Sequence, residues 1–172
     1  MKYGKQNKAM KTKKVIDRFL EYILIAIMAV LVLDVLWQVV SRYLVRSPSS
    51  FTDELARFLL IWVGILGAAY ATGQKLHLAI DVLINKFNER YRKITDYMIH
   101  GLIALFALTV MVIGGFVLIT ILLKSGNISA ALSIPIGYVY SVIPLSGILI
   151  IYYALFEIFS RETTYTEKVF VD

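Results

Sequence analysis

A polar stripe on a membrane-length helix, then a stop and an acidic restart, constrains this chain more than anything else in it. The stretch from Asp34 to Thr72 reads DVLWQVVSRYLVRSPSSFTDELARFLLIWVGILGAAYAT. Asp34, Trp37, Gln38 and Ser41 recur at i, i+3, i+4 and i+7, so helical geometry puts them on one face, with Arg42 beside them. Polar groups on one side of a helix this apolar are expected to face protein, because facing lipid leaves them unsolvated. Arg46-Ser47-Pro48 stops the helix. Thr52 is the expected N-cap of the next one, and Asp53 and Glu54 suit its positive first turn.

A chain built around such a joint needs a membrane. Only 17% of the 172 residues are charged and 59% are hydrophobic, with mean hydropathy +0.73, against about 25% charged in soluble domains. The expectation is an all-α integral membrane protein. It has a basic tail at 1–15 and spans at 16–45, 52–72, 97–123 and 134–159, then a polar tail at 160–172. The first span is too long for a signal-peptide core and reads as a retained signal anchor. Pro144, interior to the fourth span, predicts a kink. Gly64, Gly67, Ala68 and Ala71 offer the second span a small-residue face for close helix approach. Gly114 and Gly115 do the same in the third span, and Gly137, Ser141 and Pro144 line one side of the fourth.

Between the second and third spans the pattern changes. Ile80, Ile84, Phe87, Tyr91, Ile94 and Met98 recur at steps of 4, 3, 4, 3 and 4. Asp81, Asn85, Asn88, Glu89, Arg92, Lys93 and Asp96 take the other side. This predicts an amphipathic helix over 79–96 lying in the cytoplasmic interface, with a helix packed on another subunit as the alternative. Seven Lys/Arg lie in the first 18 residues, five between Lys75 and Lys93, and two more at Arg161 and Lys168. Arg42, Arg46, Arg57 and Lys124 fall on the opposite side. The positive-inside rule therefore puts both termini in the cytoplasm. It also explains the basic tail without nucleic acid, by placing it near anionic lipid headgroups.

Chemistry for catalysis is missing. No phosphate loop, zinc motif or nucleophile triad occurs, so no catalytic, cofactor or metal residue is expected. The chain has no Cys, and His77 and His100 are the two histidines. They leave a haem-binding membrane anchor as an alternative, with both ligands near one face. Asp34 reads either as an ion or proton relay or as a structural partner for a neighbouring helix. The relay underlies a further alternative, a self-assembling small transporter or channel. Arg42, Asp53, Glu54 and Arg57 form an outer charge cluster, with Glu54 and Arg57 spaced to pair and Arg42 placed to reach Asp53 or Glu54.

The segment WQVVSRY from Trp37 to Tyr43, the restart FTDELARFLLIW and the run GILGAAYATGQKLHLAIDVL together resemble the small membrane subunit, the DctQ type, of the tripartite ATP-independent periplasmic (TRAP) transporters. Arg42 and Tyr43 match the family's Arg-Tyr at the end of the first helix. Asp53, Glu54 and Arg57 match its acidic turn, and His77 and Asp81 its following loop. The resemblance implies a scaffold for a separate, large multi-span permease subunit in the bacterial inner membrane. It further implies a periplasmic solute-binding protein that delivers a C4-dicarboxylate or sialic acid, and sodium symport in the large subunit. The site residues expected at subunit contacts are Asp34, Trp37, Gln38, Arg42, Tyr43, Asp53, Glu54 and Arg57.

Overall fold

The computed structural model describes residues 2–44, 49–74 and 89–169. The described chain is helical, apart from one isolated antiparallel bridge between Ile128 and Pro135. α1 spans Lys2–Tyr43 and α2 Ser50–Gly73. α3 (Glu89–Phe106) passes into a π-helical segment, π1 (Ala107–Gly114), and continues as α4 (Gly115–Lys124). α5 is the single turn Ile136–Val139, and α6 runs over Val142–Val169. Four helical stretches are long and apolar enough to cross a membrane: Met10–Tyr43, Ser50–Gly73, Tyr97–Lys124 and Ile136–Ile158. At 1.5 Å per residue, the 24-residue α2 is about 36 Å long, enough for the hydrocarbon core.

The N-terminal tail is not separate from the first span. Helix α1 already begins at Lys2, since Lys, Gln, Ala and Met all favour helix. At the other end α6 carries through 160–169 as helix. Of the expected interfacial helix, Ile80, Ile84 and Phe87 lie outside the described residues, as do His77 and Asp81. Its last part, from Glu89, runs without a break into the third span, with Ile94 exposed.

The fourth span is the hub. Its helix packs on α2, α3 and π1, whereas α1 packs mainly on α2. The contact with the third span depends on missing side chains. A Cβ on Gly147 would lie 2.8 Å from Met111 Cβ and 3.2 Å from the Ala107 carbonyl oxygen. One on Gly115 would lie 2.9 Å from Pro144 Cδ. On the α2 side, Ala69 is fully buried and a Cβ on Gly73 would meet the Tyr153 ring. The small-residue face expected at Gly64 and Gly67 is open instead, with nothing within 4 Å of either position. Close approach on α2 falls to Ala69 and Gly73, on the other side of the helix.

Pro144 does more than kink the fourth span. It has no N–H for the Tyr140 carbonyl, and its ring crowds that carbonyl in a continuous helix. The helix stops after Val139, and the Ile143 N–H takes the Tyr140 carbonyl at 3.0 Å. Helix α6 restarts at Val142, so Pro144 sits in a first turn, where its missing donor costs nothing. The Val139 carbonyl, left without an intrahelical donor by this break, accepts from Trp62 Nε1 at 3.0 Å. A sequence-encoded break thereby becomes a tie between the second and fourth spans.

Candidate functional site

The functional groups gather where the first two spans meet. Helix α2 is capped by Ser49, not Thr52. Ser49 is extended (φ −88°, ψ 107°) and its Oγ accepts from the Thr52 N–H. Thr52 lies inside the first turn, is buried, and donates its hydroxyl to the Ser49 carbonyl at 3.0 Å. Either residue type suits a cap; the chain leaves its extended conformation three residues earlier than the acidic pattern suggested.

Asp53 joins the two helices. One carboxylate oxygen accepts from Gln38 Nε2 at 3.1 Å and the other from Arg57. The Arg57 partner is thus Asp53 at i, i+4, not Glu54 at i, i+3. Glu54 turns to another element. Its Oε2 accepts from the Ala131 N–H at 2.8 Å, and the buried Ser129 hydroxyl also bonds it. The loop that presents these donors is compact. Ser129 and Ile136 N–H groups bond the Ile134 and Asn127 carbonyls, Ser129 Oγ accepts from the Leu132 N–H, and the left-handed conformations of Gly126 (φ 62°) and Ser133 (φ 54°) turn the chain. Glu54 therefore ties the α1–α2 corner to the α4–α5 turn.

Of the expected polar face of α1, Asp34, Gln38 and Ser41 turn inward and Trp37 does not. Leu31, Asp34 and Ser41 are buried and Gln38 partly so, at steps of 3, 4 and 3. Trp37 is 57% exposed and faces outward. Asp34 is 8% exposed, and one of its carboxylate oxygens has no hydrogen-bond partner. Ser41 returns its hydroxyl to the Gln38 carbonyl. Arg42 and Tyr43 are exposed, and among the described residues Arg42 reaches neither Asp53 nor Glu54. Arg42 lines an open cleft of about 340 Å³ with Gln38, Ser49, Ser50, Asp53 and Arg57. Of the two histidines, His100 is half-buried in α3 and His77 lies outside the described residues.

A second tie holds the far end of the bundle. The Tyr153 hydroxyl donates to Asp17 at 2.6 Å, and Lys13 Nζ lies 5.5 Å from the Phe156 ring centroid. Sequence reasoning missed this tie and also Ser129 and Ala131. The Gly-Asn start and Ile-Pro end of 126–135 mark a turn, but nothing in that stretch names Glu54 as its partner 77 residues away.

Comparison with known proteins bears on these helices as a set. Residues 31–164 match the family described as tripartite ATP-independent periplasmic transporters, DctQ component. A Haemophilus influenzae protein named as a TRAP transporter small permease protein is 32% identical over 139 residues, covering 78% of this chain and 82% of that protein. The C4-dicarboxylate TRAP transporter small permease protein DctQ of Rhodobacter capsulatus is 32% identical over 100 residues, 58% of this chain and 43% of its own length. The sialic acid TRAP transporter permease protein SiaT of Haemophilus influenzae is 36% identical over 66 residues, 38% of this chain but 11% of its own. With its four apolar helices the chain is a multi-pass bacterial inner-membrane protein and a transporter component, not an enzyme. It belongs to the DctQ family, the small permease component of the tripartite ATP-independent periplasmic transporters.

Proposed function

We propose that this chain braces the large membrane subunit of a sodium-driven, binding-protein-dependent importer of organic anions, of the C4-dicarboxylate or sialic acid class. The observation that carries this reading is how the polar groups are used. Gln38, Asp53, Glu54, Trp62 and Ser129 are spent on joining helices to one another. Where the second, third and fourth spans meet, the interior is closed by Ala69, Ala107, Val142 and Ser146, each fully buried. A solute path needs polar groups converging on an accessible cavity near the midplane, usually from broken helices. At the break after Val139 the freed carbonyl is taken by Trp62 Nε1.

On this reading the substrate and sodium sites belong to a separate large permease subunit, loaded by a periplasmic solute-binding protein. This chain holds no cofactor of its own. The match to part of the much longer SiaT protein supports physical association of the small component with a larger permease. The Lys/Arg distribution supports cytoplasmic termini, which places the α1–α2 corner on the periplasmic side. The broad apolar outer faces of α1 and of π1–α4 are available to lipid and to the large subunit.

Reconstitution tests the reading. The chain alone in vesicles, given a sodium gradient and binding protein loaded with substrate, is expected to accumulate no organic anion. Tagged and purified from its native membrane, it is expected to bring down a much larger membrane protein. Sodium-coupled uptake by the chain alone would overturn the proposal.

A further inference from the structure

The cleft at the corner is not consumed by the joint beside it. Among the described residues it is lined by two arginines, two serines, one glutamine and one aspartate. Asp53 is already engaged by Gln38 and Arg57. The Arg42 guanidinium has no protein partner among the described residues, and the Arg57 side chain remains 72% exposed beyond its one ion pair. The cleft also sits where two membrane-length helices end. α1 ends at Tyr43 and α2 begins at Ser50, and the ends of such helices fall near the lipid headgroups.

We infer that this cleft binds the headgroup of an anionic phospholipid, with the phosphodiester on Arg42 and Arg57. Guanidinium forks match phosphate oxygens in geometry as well as charge. The surroundings select a lipid over a soluble anion. Trp37, Tyr43, Leu44 and Phe51 flank the corner and are 57%, 74%, 77% and 49% exposed. These apolar and aromatic groups suit the headgroup and upper acyl region, and give a free anion nothing to bind. The Asp53 carboxylate favours phosphatidylglycerol, whose glycerol hydroxyls donate to lone pairs left over from Gln38 and Arg57. The site reaches beyond the bracing role, and it is tested on the isolated chain, so either idea can fail without the other.

The experiment is native mass spectrometry of the full chain, delipidated in neutral detergent and titrated with phosphatidylglycerol or phosphatidylcholine. Phosphatidylglycerol is expected to be retained more strongly. Arg42→Gln is expected to weaken it about tenfold, the loss of one charge-assisted contact. Arg42→Lys, which keeps the charge and loses the fork, is expected to fall between, and serves where Arg42→Gln does not fold by circular dichroism. Lys124→Gln, removing an exposed cation at the end of α4, is expected to change nothing. Three results overturn the inference: equal retention of the two lipids, a loss in Lys124→Gln matching that in Arg42→Gln, or displacement of phosphatidylglycerol by millimolar inorganic phosphate.

Discussion

The α1–α2 corner and the seam between π1 and α6 both hold helices together, by opposite means. At the corner, carboxylates reach for donors: Asp53 to Gln38 and Arg57, and Glu54 to Ser129 and Ala131. At the seam the contact depends on atoms that are not there, at Gly115 and Gly147. In a bilayer the hydrophobic effect does not press helices together, so dispersion at close range and directed hydrogen bonds must do it. The corner uses the second and the seam the first. A seam of that kind breaks when an atom is added, and a corner of this kind when one is taken away.

Adding a methyl at the seam is therefore expected to have the largest effect. Gly147→Ala places its Cβ against Met111 Cβ and the Ala107 carbonyl, which belong to helix backbone or sit directly on it. A loss of about 1–3 kcal/mol is expected, read from thermal unfolding in detergent by circular dichroism. Gly137→Ala is the internal control. It meets the branched end of Leu123, which can rotate away, so its midpoint should fall less.

Removing an acceptor at the corner comes next. Glu54→Ala leaves the Ala131 N–H and the Ser129 hydroxyl without their partner. A clear fall in thermal midpoint is expected, and with it poorer recovery of the large subunit. Glu54→Gln keeps an acceptor and should recover most of both. Equal damage from the two variants would mean that the charge, not the hydrogen bonding, holds the turn. Trp62→Phe is smaller, about 1 kcal/mol, because it strands one carbonyl, that of Val139.

The seam also carries a hydroxyl that does nothing for it. Ser146 is fully buried and its Oγ has no partner. A buried polar atom without a hydrogen bond is a cost, so its removal is close to neutral or stabilising. Ser146→Ala is expected to leave the thermal midpoint unchanged or slightly raised. A marked fall would show that the hydroxyl has a hydrogen-bond partner in the folded chain, and that the seam is not held by packing alone.

How much of this was legible in the sequence follows the same division. Length and hydropathy dictated four membrane helices, and Pro144 announced the interruption of the fourth. The acidic turn correctly located the corner. Its wiring was not readable, because i, i+3 and i, i+4 partners are both allowed on a helix and Arg57 chose Asp53. On α1 only Trp37 was misplaced, for a related reason. Trp37 and Asp34 satisfy a helical repeat together, yet the buried line runs through Leu31, Asp34, Gln38 and Ser41. Spacing gives a sector about 100° wide, and the neighbouring helix decides which edge of it is covered. The seam was the least legible, since Gly64 and Gly67 offer as much small-residue surface as Gly115 yet stand open, and nothing in the sequence singles out Gly147. Close approach is a property of two helices, and one sequence segment shows only its own half.

The smallest expected loss separates the two acidic residues of the corner. Asp53→Asn keeps an oxygen that accepts from Gln38 Nε2 and loses the ion pair with Arg57. That pair is solvent-facing, with side chains 46% and 72% exposed, and exposed i, i+4 pairs contribute only about 0.3–0.5 kcal/mol. The variant should unfold within about 0.5 kcal/mol of the parent, and raising the salt should shrink even that difference, because screening acts on the pair and not on the amide hydrogen bond. Asp53 would then serve mainly to aim α2 at α1 through Gln38, while Glu54, engaged with the buried Ser129 and the Ala131 N–H, holds the corner to the rest of the bundle. A salt-independent loss as large as that of Glu54→Ala would reverse the assignment: water would be excluded from the Arg57 pair, and the corner would be anchored through the first hairpin and not through the turn at 126–135.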